Sequence, residues 1–174
     1  SDTLDWDALA YHLAVPKLWI EHGKIDFISF IHHSNFPFVV DNLFLLGLKS
    51  GEAGAKLFNA LFLAFGSLAI FGLARSQYGA RAGWWAAAAF ATVPTVIWES
   101  GTAYIDMAHG LYAGIGAALM LTGRESRSNL WLGALLLGFA VGSKYTGLQA
   151  VVATGLVLIP AIGFRTAALA CLAA

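Results

Sequence analysis

The sequence predicts an all-α protein that crosses a membrane several times. Of its 174 residues, 59% are hydrophobic and only 11% are charged, and the mean hydropathy is +0.71. A soluble domain carries roughly 25% charged residues, because its surface faces water. This composition excludes a soluble globular domain, a disordered chain and a nucleic-acid-binding protein with a basic surface.

The charged residues are distributed unevenly along the chain. Eleven of the twenty lie in residues 1–56, and the other nine are spread over residues 57–174. We therefore divide the sequence into an extracytoplasmic region, 1–53, and a transmembrane helical bundle, 54–174. The sequence begins without Met and stops inside an apolar run, so we expect it to be part of a longer polypeptide.

The extracytoplasmic region begins with a predicted amphipathic helix over residues 4–22. Pro16 has no amide hydrogen to donate and should interrupt this helix. In the first half of the helix, Asp7, Tyr11 and Val15 follow one another at intervals of four residues, which places them on one face. The apolar part is too short to span a bilayer, so we expect the helix to lie along the membrane interface.

A second short helix is predicted over residues 38–48, after an irregular stretch at 25–36. This helix carries Asp41, which we expect to face water or a site. The neighbouring His32 and His33 could bind a metal ion together with Asp41, or they could simply be solvated.

The second region contains long apolar stretches that predict membrane-spanning helices. A spanning helix needs about 20 mostly apolar residues, because its backbone polar groups must be paired within the segment. The predicted spans are 57–74, 82–98, 106–122, 130–143 and 145–164, with a further span beginning at 166. Arginines cluster in the loops on one side, which is therefore cytoplasmic and leaves residues 1–53 outside.

Two glycine spacings within the predicted spans favour close helix packing. They are Gly110-x-x-x-Gly114 and Gly138-x-x-x-Gly142, each of which puts two small residues on one helix face. We also expect His109, in the third predicted span, to be hydrogen-bonded within the packing and not to bind a metal or a pigment.

Acidic side chains gather at the extracytoplasmic ends of the predicted elements. They are Asp5, Asp7, Asp41, Glu99 and Asp106. We expect Asp5 to be solvated and Glu99 to lie at the membrane interface. Carboxylates at a membrane face suit general-base catalysis, divalent cation binding or cation transport, and physical reasoning leaves these three open.

Four groups of residues resemble motifs of a known family. In chain order they are Asp7-Ala-Leu-Ala-Tyr11-His12-Leu13 followed by Pro16, Trp19 and Gly23; Ser34-Asn35-x-Pro37-x-x-x-Asp41; Tyr104-x-Asp106; and Gly138-x-x-x-Gly142-Ser-Lys144-Tyr145. Together they resemble polytopic glycosyltransferases of the GT-C superfamily, in the bacterial branch related to protein O-mannosyltransferases and lipid A aminoarabinose transferase.

The resemblance implies a GT-C-like helical bundle with two amphipathic helices in its first external loop. It also implies transfer of a hexose or pentose from a polyprenyl-phosphate donor to an acceptor hydroxyl, with inversion. Asp7 would be the general base and Asp106 a second catalytic carboxylate. The substrate-binding residues would be Tyr11, His12, Asp41 and Lys144.

Lys144 would either contact the donor phosphate or extend its ammonium group to the membrane surface. Whether a divalent cation serves as a cofactor is left open. The expected location is the bacterial inner membrane. The expected partners are the sugar donor, membrane lipid and other membrane subunits, without nucleic acid. Full members of the family have further spans, so catalysis is expected to need a longer protein.

Two alternatives to a glycosyltransferase remain at this stage. One is a non-catalytic structural subunit of a larger membrane complex with a GT-C-like fold. The other is a transporter fragment that uses Asp106 and Lys144 as intramembrane charges, although the sequence shows no inverted repeat. The enzyme requires Asp7, Asp41 and Asp106 to converge around one external cavity, with Lys144 within reach of it.

Overall fold

The computed structural model describes residues 5–123 and 126–163, which form helices and connecting turns without a strand. A π-helical turn at Ala8–His12 precedes the first α-helix, and a 3-10 turn lies at His32–Asn35. The α-helices are α1 (Ala14–His22), α2 (Val39–Leu48), α3 (Glu52–Tyr78), α4 (Ala80–Ala91), α5 (Pro94–Ser100), α6 (Asp106–Thr122), α7 (Arg127–Ser143) and α8 (Gly147–Ile162). The prediction of an all-α protein is confirmed.

The two short helices predicted near the N-terminus are present as α1 and α2. Gly23 ends α1 in the left-handed conformation, with φ of 68°, which glycine adopts without a steric penalty. Val15 and Trp19 on α1 are buried against Ile28 and Phe38. The apolar face of α1 therefore packs into an internal core. The sequence had instead predicted that this face lies along the membrane interface.

Helix α3 is, among the described residues, the one helix long and apolar enough to cross a membrane. Its 27 residues include an 18-residue stretch with mean hydropathy 2.0, of which only 11% is buried within the protein. At 1.5 Å per residue the helix is about 40 Å long. The predicted span at 57–74 lies entirely within it.

The predicted spans 106–122, 130–143 and 145–164 correspond to α6, α7 and α8. These helices have 17, 17 and 16 residues, fewer than the about 20 that a perpendicular span needs. The span predicted to begin at 166 lies outside the described residues.

The prediction of one continuous helix over residues 82–98 is wrong. The structure interrupts it at Thr92 and Val93, between α4 and α5. Val93 is extended, with φ of −63° and ψ of 124°, because the ring of the following Pro94 disfavours the helical conformation of the residue before it. The conformational effect of Pro94 therefore interrupts the helix, even though the apolar stretch is long enough to form one continuous span.

The chain divides into two compact units, Ser1–Ala108 and His109–Ala174. In the first, α3 packs against α2, α4 and α5, and α1 packs against α2. In the second, a buried core joins α6, α7 and α8 through Met120, Leu137 and Leu158. The predicted boundary at 53/54 falls in the first turn of α3, so it does not coincide with the division between the units.

Helices α6 and α7 approach each other closely at Gly116 and Gly133. A Cβ atom on Gly116 would lie 2.9 Å from the carbonyl oxygen of Gly133, and one on Gly133 would lie 2.7 Å from that of Gly116. Within the described residues, nothing lies within 4 Å of the Cβ positions of Gly110 and Gly114. The prediction of close packing at Gly110 and Gly114 is therefore wrong.

We expect Gly133→Ala to lower the free energy of unfolding by about 1–3 kcal/mol, because the added methyl group has no space. Gly114→Ala is the matched control. It should be neutral or stabilise the protein by about 0.5–1 kcal/mol, since alanine favours the helix more than glycine does. Denaturant unfolding of the purified protein, followed by circular dichroism, measures both. Equal effects of the two substitutions would contradict the assigned contact.

Candidate functional site

Asp7 immediately precedes the π-helical turn Ala8–His12. The amide of Leu13 donates a hydrogen bond to the carbonyl of Ala8 at 2.9 Å, five residues back instead of four. The extra residue rotates Asp7 by about 100° relative to the residues after the turn. Asp7 stays partly exposed while Val15 is buried, so the continuous face predicted for these residues is interrupted.

His12 and Asp41 form a buried pair that links the π-helical turn to α2. The Nδ1 atom of His12 lies 2.6 Å from Oδ1 of Asp41, and both residues are only 1% exposed. Burial raises the pKa of Asp41 above its usual range, although the hydrogen bond with His12 opposes this shift. The expectation that Asp41 faces water is therefore wrong.

This burial also changes the roles expected for the two residues as substrate ligands. A side chain that is sealed from solvent holds the backbone around it and is not positioned to contact a substrate. We therefore treat His12 and Asp41 as positioning residues that connect α2 to the segment carrying Asp7 and Tyr11.

Tyr11 is the side chain around which the predicted acidic residues gather. Its pKa is raised to about 12, first by burial and then by the negative charges of Asp7, Asp41 and Asp106, with a small contribution from Tyr104. Asp7 precedes the π-helical turn, Asp41 lies in α2 and Asp106 begins α6. All three belong to the first unit, and the charge of each opposes ionisation of the Tyr11 hydroxyl.

An aromatic cluster covers another side of Tyr11. The ring of His33 stacks on it with centroids 4.4 Å apart, and Phe36 meets it edge-on at 6.4 Å. His32 packs in turn against His33 and Phe36. The histidines of the irregular stretch therefore form part of the wall around Tyr11.

Tyr104 is a residue of this cluster to which the sequence motifs assigned no role of its own. Its hydroxyl oxygen accepts a hydrogen bond from the Asp7 amide at 3.4 Å, and its ring packs against Trp98 and His12. The Nδ2 group of Asn59 donates to its carbonyl at 2.7 Å. The available signal was its place in the Tyr104-x-Asp106 motif, next to a candidate catalytic acid.

The remaining predicted acid of this unit, Glu99, supports the start of α6. Its Oε2 atom accepts a hydrogen bond from the amide of Met107 at 2.5 Å, where helix amides have no partner within the helix. Glu99 is buried within the protein. Asp106, the first residue of α6, is exposed.

The second unit contains His109 and Lys144. The Nδ1 atom of His109 lies 3.1 Å from the carbonyl of Ala140, and Nε2 lies 3.1 Å from Oγ1 of Thr146. A carbonyl only accepts, so Nδ1 carries a proton and donates it to Ala140, while Nε2 is hydrogen-bonded to the threonine hydroxyl. Both ring nitrogens of His109 are therefore hydrogen-bonded within the protein, as predicted. Lys144 is exposed directly after α7.

The described residues contain no group of three or more His, Cys, Asp or Glu side chains arranged to hold a metal ion. Asp41 is paired with His12, and His33 is stacked on Tyr11. The structure therefore does not assemble the set of His32, His33 and Asp41 that the sequence allowed.

No protein-family model, curated protein or solved structure matches the chain. The GT-C family predicted from the motif residues and their order in the sequence therefore stays a prediction.

Tyr11 offers a direct measurement of how the carboxylates are arranged. We expect its hydroxyl to titrate near pH 12, and Asp7→Asn or Asp106→Asn to lower that pKa, because each removes a charge that opposes the phenolate. The pKa should remain above 10 because burial is the larger cause. NMR of ¹³C-labelled tyrosine, assigned with Tyr11→Phe, measures the titration.

Asp5→Asn is the control for this titration and should leave the Tyr11 pKa unchanged. An unchanged pKa in both Asp7→Asn and Asp106→Asn would contradict the clustering of the acids. Because the folded-state pKa is raised, Tyr11 contributes stability that is complete below pH 10 and is lost as the pH rises through about 12.

Proposed function

We propose that this chain belongs to a polytopic membrane glycosyltransferase and forms its acceptor-activating site. The enzyme transfers a sugar from a polyprenyl-phosphate donor to an acceptor hydroxyl at the extracytoplasmic face. The observation that carries this proposal is the environment of Asp7, which is partly exposed, has its backbone amide bound to the Tyr104 hydroxyl and opposes the ionisation of Tyr11 together with Asp41 and Asp106. The order of the motif residues along the chain supports it as well.

The three carboxylates have different environments, which supports different roles. Asp41 is sealed against His12, whereas Asp7 is partly exposed and Asp106 is exposed. A general base must reach the proton that it removes, so it must be open to the substrate. Asp7 fits this role, and Tyr104 holds its backbone amide.

The proposed reaction is a single displacement. Asp7 takes the proton of the acceptor hydroxyl while that oxygen forms a bond to the anomeric carbon. The bond from the anomeric carbon to the donor phosphate oxygen breaks, and its electron pair leaves with the polyprenyl phosphate. Because attack and departure occur on opposite faces, the anomeric configuration inverts. The carboxylate of Asp106 would stabilise the positive charge that develops on the sugar ring.

The membrane placement in this proposal is supported by α3 and by the composition of the chain. Only 11% of the most apolar stretch of α3 is buried within the protein, and lipid would cover the side chains that are left exposed. The remaining apolar helices would complete the bundle, with residues 1–53 on the extracytoplasmic side. Lys144, exposed directly after α7, would neutralise a phosphate group of the donor, as the resemblance implies.

The experiment that tests the function uses the full-length protein in liposomes. We expect polyprenyl-phosphate mannose, used as the first donor probe, to transfer its radiolabelled sugar to acceptor lipid or protein with inverted anomeric configuration, as measured by NMR. Polyprenyl phosphate should bind more tightly than uncharged polyprenol, and Lys144→Gln should abolish that difference.

Failure of hexose and pentose donors alike to transfer their sugar or to bind would overturn the proposal. That outcome would favour the non-catalytic subunit.

A further inference from the structure

Residues 25–30 form a loop that turns large apolar side chains away from the protein; we call it the apolar loop. Ile25 is 68% exposed, Phe27 58% and Phe30 77%. Ile28, in the same loop, is 2% exposed and belongs to the core around Trp19. Burying each outward side chain would contribute about 1.5–3 kcal/mol, so some partner is expected to cover them.

The apolar loop is held in place by hydrogen bonds on both sides of Ile28. The indole N–H of Trp19 donates to the carbonyl of Asp26 at 2.7 Å. The hydroxyl of Ser34 accepts from the amide of Ile28 at 3.1 Å and donates to its carbonyl at 3.2 Å. The backbone thus presents Phe27 and Phe30 outward while Ile28 anchors the loop.

The unit that carries the loop also contains α3, and this indicates what covers the loop. The ammonium group of Lys17 donates to Oε1 of Glu52 at 2.6 Å, which fastens α1 to the first turn of α3. The loop follows α1 in the chain, so it belongs to the same compact unit as the described helix that is long and apolar enough to cross a membrane. Lys24 and Asp26 form an ion pair beside the apolar side chains, as polar groups do where a protein surface enters the headgroup region.

We propose that the apolar loop inserts into the outer leaflet of the bilayer beside α3. Ile25, Phe27 and Phe30 enter the boundary between headgroups and acyl chains, while Lys24 and Asp26 remain in the headgroup layer. This fixes the depth of the first unit and holds the Asp7 site at the membrane surface, where a lipid-linked substrate is met. The inference rests on the proposed crossing of the membrane by α3.

Spin labels attached to single cysteines test the proposal in the full-length protein. Cys171, the one cysteine of this chain, is replaced by alanine together with any other cysteine of that protein. Labels are introduced by Phe30→Cys, by Lys24→Cys as the control beside the loop, and by Phe65→Cys in the exposed middle of α3. The protein is placed in nanodiscs of phosphatidylethanolamine and phosphatidylglycerol, and collisions with oxygen and with a water-soluble nickel chelate are measured.

We expect the ratio of oxygen to nickel collisions to be several-fold higher at residue 30 than at residue 24, and highest at residue 65. A high ratio at 65 with a low ratio at 30 overturns the loop insertion alone, whereas a low ratio at 65 overturns the membrane crossing itself. Spin–spin broadening at residue 30 would show that a second copy covers the loop and would also overturn the proposal. Circular dichroism of each labelled protein verifies that the fold is retained.

Discussion

The Asp7→Asn variant is expected to lose sugar transfer by about 10²–10⁴-fold, the contribution typical of a general base. The carboxamide side chain of asparagine cannot accept the proton of the attacking hydroxyl, but it has nearly the same size as the carboxylate. The backbone N–H of residue 7 can still donate to the Tyr104 hydroxyl, so the local backbone should stay in place. The rate at saturating donor and acceptor measures this effect, and the KM for the donor should change little.

Asp5→Asn is the matched control for that substitution. Asp5 lies two residues earlier, is also partly exposed, and is expected to be solvated. Its substitution should change the rate by no more than a small factor. Asp7 is not the base if Asp7→Asn transfers sugar at the rate of the unsubstituted protein, or if Asp5→Asn is equally impaired.

Asp41→Ala is expected to lower the free energy of unfolding by about 3 kcal/mol, because it leaves the buried ring of His12 without its partner. His12→Ala should have a similar effect. The double variant should be less destabilised than the sum of the single variants, since each single substitution already removes their shared hydrogen bond. Denaturant unfolding of all four proteins measures the coupling.

The partly exposed ion pair of Lys17 and Glu52 provides the control for burial. Its side chains are 43% and 30% exposed, so Glu52→Gln should cost no more than about 0.2–1 kcal/mol. Equal destabilisation by Glu52→Gln and Asp41→Ala would show that burial does not set the importance of the His12–Asp41 pair.

The pH dependence of stability follows from the raised pKa of Asp41. Burial raises the pKa of Asp41 in the folded state, so the stability contributed by this group is complete below its ordinary pKa. That stability is lost as the pH rises through the raised value. The unfolding free energy of Asp41→Asn should therefore depend less on pH in the acidic range than that of the unsubstituted protein.

The helical fold could be predicted from composition and apolar length, because few other arrangements satisfy backbone polar groups in so apolar a chain. The ends of α6 were predicted at the residues observed. The break before Pro94 was missed because the apolar run continues through it. Gly116 and Gly133 were missed because a spacing pattern identifies small residues but not the helix that packs against them.

The sequence by itself determined the helical class, the scarcity of charge and the list of candidate acids, because residue type alone limits these. Only the tertiary structure decided how those acids are used. In the folded protein Asp41 is buried against His12, and the π-helical turn rotates Asp7 relative to the residues of α1. The Tyr104 hydroxyl lies next to the backbone amide of Asp7. These outcomes depend on contacts between residues as far apart in the chain as Asp7 and Tyr104, and local sequence patterns do not report which distant side chains meet.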